Sequence, residues 1–267
     1  MRKSRLQARR DRLYFIWGSV LFLAVAALAA AAFWYQFKLT PAIDAGSLCP
    51  ASGPSGHIVL LVDKTDPLNF TQREAFQVLL EEIITRKTHA GELLSVFVLG
   101  EDYTASAKPL IELCNPGDGS DKSELTANVK RLRRQFEDKF RTPMLALADE
   151  LQSQQPARSS PVLEMIQFVS INGFRRRDVH GPHRLILISD MLHNTANLSM
   201  YRSGYEHPAY LATDYGRKTT VDLNGVEVEL HYILNNPSLQ TRRHLKFWED
   251  HFTHAGARIV SVRPLEG

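Results

Sequence analysis

With 267 residues, 44% apolar and 23% charged, the chain is long enough for one large domain or two small ones, and too apolar to be disordered. Its two cysteines exclude a disulfide-dense scaffold and a four-thiolate zinc site. The formal charge of +3 sits at the N-terminus: seven of 32 basic residues lie at or before Lys38, leaving 25 basic against 28 acidic residues, so no nucleic-acid partner is expected.

Residues 1–13 carry Arg2, Lys3, Arg5, Arg9, Arg10 and Arg12 against Asp11. From 13 to 37 no residue is charged (LYFIWGSVLFLAVAALAAAAFWYQF). About 20 apolar residues suffice to cross a bilayer. Tyr14 and Trp17 near one end, and Phe33, Trp34 and Tyr35 at the other, match the two interfacial aromatic belts. A cleaved signal peptide has a shorter apolar core that ends in small residues. This stretch is longer and ends in bulky aromatics, so 14–37 is read as an uncleaved transmembrane helix in the lipid bilayer. The basic segment 1–13 is then cytoplasmic, and the rest is exported from a single-pass inner-membrane anchor, into the periplasm if the cell is bacterial.

Residues 38–56, with three prolines, three glycines and three serines, read as a tether. The segment 57–63 (HIVLLVD) is a continuous apolar run that suits a strand buried on both faces. Phe76, Leu79, Leu80, Ile83 and Ile84 share one face of a following helix, with Thr71 and Glu74 at capping-box spacing. The next strands are 93–99 and a shorter edge segment at 110–113. Leu125, Val129, Leu132, Phe136 and Phe140 mark a long helix that Pro143 is expected to interrupt, with a second segment reaching about 154. Ser159-Ser160-Pro161 reads as a serine cap with proline in the first turn of another helix. A buried strand at 184–190 (RLILISD) follows, then a polar stretch at 191–224. A strand at 226–234, a helix at 241–254 and a strand at 257–262 complete the chain. Strands separated by helices imply an α/β fold: a doubly wound, mostly parallel sheet with helices on both faces.

In such sheets ligands bind at the carboxyl ends of the strands, near the switch in strand order. Two buried strands end there in aspartate, Asp63 and Asp190. A carboxylate at that edge stays ionised only if it is hydrogen-bonded, paired or metal-bound. Thr65 and Asp66 follow Asp63 at once, and Ser159 and Ser160 open a third loop. Carboxylate and hydroxyl oxygens are the hard ligands Mg²⁺ prefers. Each residue also has a purely local reading, since aspartates cap turns and a serine before proline caps a helix.

At these residues the chain resembles the von Willebrand factor A-type domain, the fold shared with integrin inserted domains, over 57–267. That family's metal-ion-dependent adhesion site has Asp-x-Ser-x-Ser after the first strand, a Thr or Ser in a second loop, and an Asp at the end of the fourth strand. Asp63 stands at the first aspartate, Thr65 at the first serine, and Pro67, which offers no side-chain oxygen, at the second. Ser160, or its neighbour Ser159, would be the second-loop hydroxyl, and Asp190 the third-loop aspartate. Asp66 is an additional candidate in place of the missing serine. The resemblance implies a site for Mg²⁺ or Mn²⁺ and a partner protein.

Cys49 and Cys114, an even count on the oxidising side, are expected to form a disulfide stapling the tether to the third strand; two separate buried thiols are the alternative. His180 with His183, and His251 with His254, lack a third ligand at zinc spacing; the late-helix pair is read as favouring the negative end of the helix dipole. Arg131, Arg133 and Arg134, and the run at 175–177, read as solvated faces. The Tyr-, His- and Gly-rich stretch 201–215 is expected to shape the binding edge. No Gly-x-Ser-x-Gly elbow or phosphate-binding glycine loop occurs, and no nucleophile has a clear base. The favoured reading is therefore a membrane-anchored protein-interaction module of the cell envelope rather than an enzyme. A metal-free structural subunit of an envelope complex and a metal-dependent phosphoesterase are the alternatives.

Overall fold

The structure, a computed structural model, describes residues 5–39, 43–102, 108–124, 127–152, 157–174, 179–202 and 205–265; for 5–13 and 36–39 it describes the backbone alone. The side chains of the basic segment 1–13, the arginine run 175–177, Leu125 and Gln154 thus lie outside the described residues.

The first of two units is helix α1 (Arg5–Leu39). Its stretch Tyr14–Tyr35 has a mean hydropathy of 2.2, and none of it is buried. At 1.5 Å per residue those 22 residues extend about 33 Å, long and apolar enough to cross a membrane.

The second unit begins at Ile43. Its six-stranded sheet contains β1 (His57–Asp63), β2 (Leu93–Leu99), β3 (Ile111–Cys114), β4 (His183–Ser189), β5 (Val226–Tyr232) and β6 (Arg258–Pro264). The order across the sheet is β3-β2-β1-β4-β5-β6. All neighbours are parallel except the edge pair β2–β3. The strands lie within a residue or two of the predicted runs, and the doubly wound architecture is the expected one. Strand alternation sorts β1 between two cores. Ile58, Leu60 and Val62 face one core with α2 (Phe70–Glu82) and α3 (Val129–Phe136). Val59 and Leu61 face the other with α6 (Val162–Phe168) and α9 (Arg242–His254). A run apolar at every position is what a strand covered on both faces requires.

Several local expectations are corrected. Helix α2 starts two residues earlier than Thr71 and Glu74 suggested. Its capping box is Asn69 with Gln72: Asn69 Oδ1 accepts from the Gln72 N–H at 2.9 Å, and Gln72 Oε1 accepts from the Asn69 N–H at 2.9 Å. Asn caps as well as Thr, and Leu68 before it is buried. Pro143 does not break the third helix. A wide π turn at Glu137–Arg141 follows α3, and the chain continues directly into α4 (Thr142–Leu145), with Pro143 in the first turn where an N–H is not needed. A short α5 (Ala148–Gln152) follows. The polar stretch 191–224 contains α7 (His207–Leu211) and α8 (Asp214–Lys218). His251 does not serve the helix dipole. It is buried, and burial holds its imidazole down at about 3, so it is neutral.

Residues 43–56, expected as a tether, are fastened to the sheet from Ile43 onward. Cys49 and Cys114 form the expected disulfide. The Cys114 N–H donates to Ser47 O at 2.8 Å, and Leu48 is buried. The reason is that β3 is an edge strand with an open row of backbone groups, and this segment covers it. On its other side the segment meets Gly181. A Cβ there would stand 1.7 Å from Ser55 O, a backbone atom that cannot rotate away. Gly181→Ala is expected to lower the urea midpoint, with a loss of about 1–3 kcal/mol typical of forced overpacking.

Candidate functional site

Strand β1 is followed by connections running to β2 on one side, while β4 leads to β5 and β6 on the other. The switch point therefore lies between β1 and β4, the place at the carboxyl ends of the strands where sheets of this kind bind ligands. Asp63 is the last residue of β1 and Asp190 follows β4 directly. Both are buried.

The Asp63 carboxylate is held on both oxygens. Oδ1 accepts from the Thr65 N–H at 2.9 Å and from Thr65 Oγ1 at 2.7 Å; Oδ2 accepts from Ser189 Oγ at 2.6 Å. Thr65 Oγ1 also lies 3.1 Å from Ser160 Oγ. The Ser160 segment is fixed by a two-bond bridge: its N–H donates to Asn194 O at 2.8 Å, and the Asn194 N–H donates to Ser160 O at 2.9 Å. The loop after Asp190 thus binds the loop bearing Ser160. Ser160 does not cap α6 as the sequence suggested. Pro161 is the capping residue and no side chain caps there, so the Ser160 hydroxyl is turned to the cluster instead. Ser159 is half-buried and is not the residue in contact with Thr65.

Asp190 is partnered on one oxygen only. Oδ1 accepts from the Leu192 N–H at 2.8 Å, while Oδ2 is buried without a hydrogen-bond partner. Burial, then the charge of Asp63 and the closeness of Asp66, push the Asp190 carboxyl up to about 8. Burial also raises Asp63, against the hydrogen bonds from Ser189 and Thr65 that lower it. Tyr201 stands beside the same pocket: its hydroxyl is pushed up to about 12 by burial and then by Asp190, Asp66 and Asp63. Pro67 is exposed and adds no oxygen.

Asp63, Thr65, Ser160 and Asp190 therefore converge on one rim, with Asp66 close to Asp190. Sequence reasoning missed Ser189. The signal was available in the register, since Val62 pairs with Ile188 and the next residues, Asp63 and Ser189, must then stand side by side. The donor set is entirely hard oxygen, and an unpartnered buried carboxylate oxygen is the kind of group that takes a proton or a cation. Asp63 and Asp190 are two buried carboxylates whose like charges disfavour joint ionisation, a repulsion that a proton or a cation relieves. Among the described residues, however, no group of three or more His, Cys, Asp or Glu is arranged to hold a metal ion, so the set depends on the two hydroxyls as donors.

No protein-family model and no curated protein matches the chain. Solved structures similar to it include the following three. An aerotolerance-related membrane protein from Bacteroides fragilis is 11% identical, with 79% of this chain and 91% of that one covered and a TM-score of 0.33. The conserved hypothetical protein BatB from Bacteroides thetaiotaomicron is 12% identical, with 79% and 91% covered and a TM-score of 0.35. The SpRpn10 VWA domain is 10% identical, with 80% and 89% covered and a TM-score of 0.38. Likenesses at these scores are too distant to carry a function from one chain to another.

Proposed function

We propose that this protein is a membrane-anchored protein-interaction module of the cell envelope. In this reading 14–37 cross the inner membrane once, 1–13 remain cytoplasmic, and the sheet domain faces the exported side. The oxygens of Asp63, Thr65, Ser160 and Asp190, with Asp66 near them, hold Mg²⁺ or Mn²⁺. The observation that carries the reading is the buried, unpartnered Asp190 Oδ2 in a crevice shared with Asp63 and Asp66. A hard divalent cation supplies the missing positive charge and an open coordination position for a partner's carboxylate. The protein's own groups do the rest. Ser189 and Thr65 hold Asp63 in one orientation, the Leu192 N–H holds Asp190, and the bridge at Asn194 keeps Ser160 facing Thr65.

Titrating Mg²⁺ against thermal unfolding tests the metal part. At 100-fold excess over Kd a ligand of the folded state adds about 2.7 kcal/mol, or roughly 5–10 °C for a domain of this size. Asp190→Asn is expected to abolish that rise while leaving the metal-free midpoint no lower, because the amide keeps the shape of the protonated acid. No rise at millimolar Mg²⁺ or Mn²⁺, or an equal rise in the variant, would rule the cation out.

A second reading, a metal-free structural subunit of an envelope complex, is favoured by the lack of a three-residue His, Cys, Asp or Glu metal group among the described residues. A proton on Asp190 would then do what the cation does in the first reading. Recovery of the same partners in chelator and in Mg²⁺ selects it.

A further inference from the structure

Asp190 is followed by a residue that few side chains tolerate in its conformation. Met191 has φ of 60°, in the left-handed region, and it is fully buried. A strained residue persists only where its surroundings over-determine it. Here they do. Met191 O accepts from His244 Nε2 at 3.0 Å and from Trp248 Nε1 at 3.0 Å, both on α9. The Met191 N–H donates to Ser189 Oγ at 2.8 Å. One residue back, Asp190 O accepts from Gln240 Nε2 at 3.0 Å, and the same amide donates to Ile233 O at 2.7 Å. His244 is itself oriented: its Nδ1 is in contact with the Tyr232 hydroxyl at the end of β5. With Nδ1 accepting from that hydroxyl, Nε2 carries the proton and donates to Met191 O.

We propose that His244 is a positioning residue for Asp190: by holding the Met191 carbonyl, with Trp248 and Gln240, it keeps the turn that aims Asp190 into the oxygen-lined crevice. The proposal rests on the cation site of the preceding subsection. It adds that α9 and the end of β5, which contribute no ligand, set the affinity of that site. Outer partners of this kind are worth about 10–100-fold in metal affinity.

The experiment is calorimetric titration of the full-length protein in detergent with Mg²⁺ alone, with folding checked by near-UV dichroism and the urea midpoint. His244→Leu removes the donor and is expected to raise Kd about 10–100-fold. His244→Gln places an amide nitrogen near the position of Nε2 and is expected to bind within about threefold of wild type, a difference of well under 1 kcal/mol. Tyr232→Phe frees the imidazole tautomer while keeping the packing, and is expected to raise Kd by an intermediate factor. If His244→Leu does not fold, Tyr232→Phe decides. Folded variants that all bind as wild type does, or a Gln variant no better than Leu, overturn the positioning role. No binding by wild type overturns both this role and the cation site, whereas wild-type binding with unaffected variants overturns this role alone.

Discussion

Reducing the Cys49–Cys114 disulfide will lower the unfolding free energy by about 4 kcal/mol. The bond closes a loop with a sequence separation of 65 residues that contains β1, α2 and β2 and ends at β3. Cross-linking a loop of that length removes about 4 kcal/mol of chain entropy from the unfolded state. A second consequence follows from where the bond sits. Segment 43–50 covers the β3 edge through the Cys114 N–H to Ser47 O bond. Without the bond that cover is held by its own hydrogen bonds and the buried Leu48, and an uncovered edge strand invites pairing with other chains. Urea unfolding with and without reductant, and of Cys49→Ser, checks both: a lower midpoint is expected, with concentration-dependent light scattering on reduction. An unchanged midpoint would show that the covering segment contributes little.

Acidification from pH 7 to pH 5 is the second large effect. His193, His244 and His251 are buried, and burial depresses them to about 3, about 4 and about 3. Glu164 lies 4.0 Å from His193 Nδ1, yet desolvation is the cause that prevails there. In the unfolded chain these imidazoles titrate near 6.5. Between 6.5 and about 3 the unfolded state therefore binds more protons, and stability falls as the pH falls. Each contributes about 2 kcal/mol of loss by pH 5, roughly 6 kcal/mol together. Asp190 works in the opposite direction. Its carboxyl is raised to about 8, so from pH 8 down to about 4 the folded state holds the extra proton and gains stability. Over the same two units that returns about 2–3 kcal/mol, and Asp63, also raised by burial, adds to the return, so the net acid loss is smaller than the histidine sum. A bound cation keeps Asp190 ionised and cancels the return, so in saturating Mg²⁺ the acid loss should approach the larger figure. Urea midpoints at pH 7 and 5 check this, and His251→Leu should remove about a third of the gross loss. A wild-type midpoint indifferent to pH in this window would mean that the histidines are hydrated.

The local patterns were legible because they depend on neighbours in sequence. An uncharged run of 25 residues flanked by aromatics specifies a long apolar helix wherever it sits. Apolar runs such as HIVLLVD and RLILISD suit strands covered on both faces, and the helices between them imply parallel pairing. Asp63 and Asp190 were visible as site residues for the same reason: each closes a buried strand, and the carboxyl ends of such strands share one rim. The disulfide was legible from an even cysteine count together with the exported side on which the apolar segment was read to place it.

What the sequence left open depends on contacts across the fold. Ser160 has the local grammar of a helix cap, but the bridge to Asn194, 34 residues on, turns its hydroxyl to Thr65. Asn69 outcompetes Thr71 as a cap because the buried Leu68 fixes where the chain enters α2. His251 looks like a surface residue late in a helix, and only the packing of α7 against α9 removes it from water. Ser189 and the α9 clamp on Met191 follow from register and helix placement. Periodicity and composition thus determined the long apolar helix, the strands and the rim on which the carboxylates meet, since those are properties of short windows. The orientation and charge state of each group on that rim were decided by tertiary structure, since hydrogen bonding and desolvation come from residues distant in the chain.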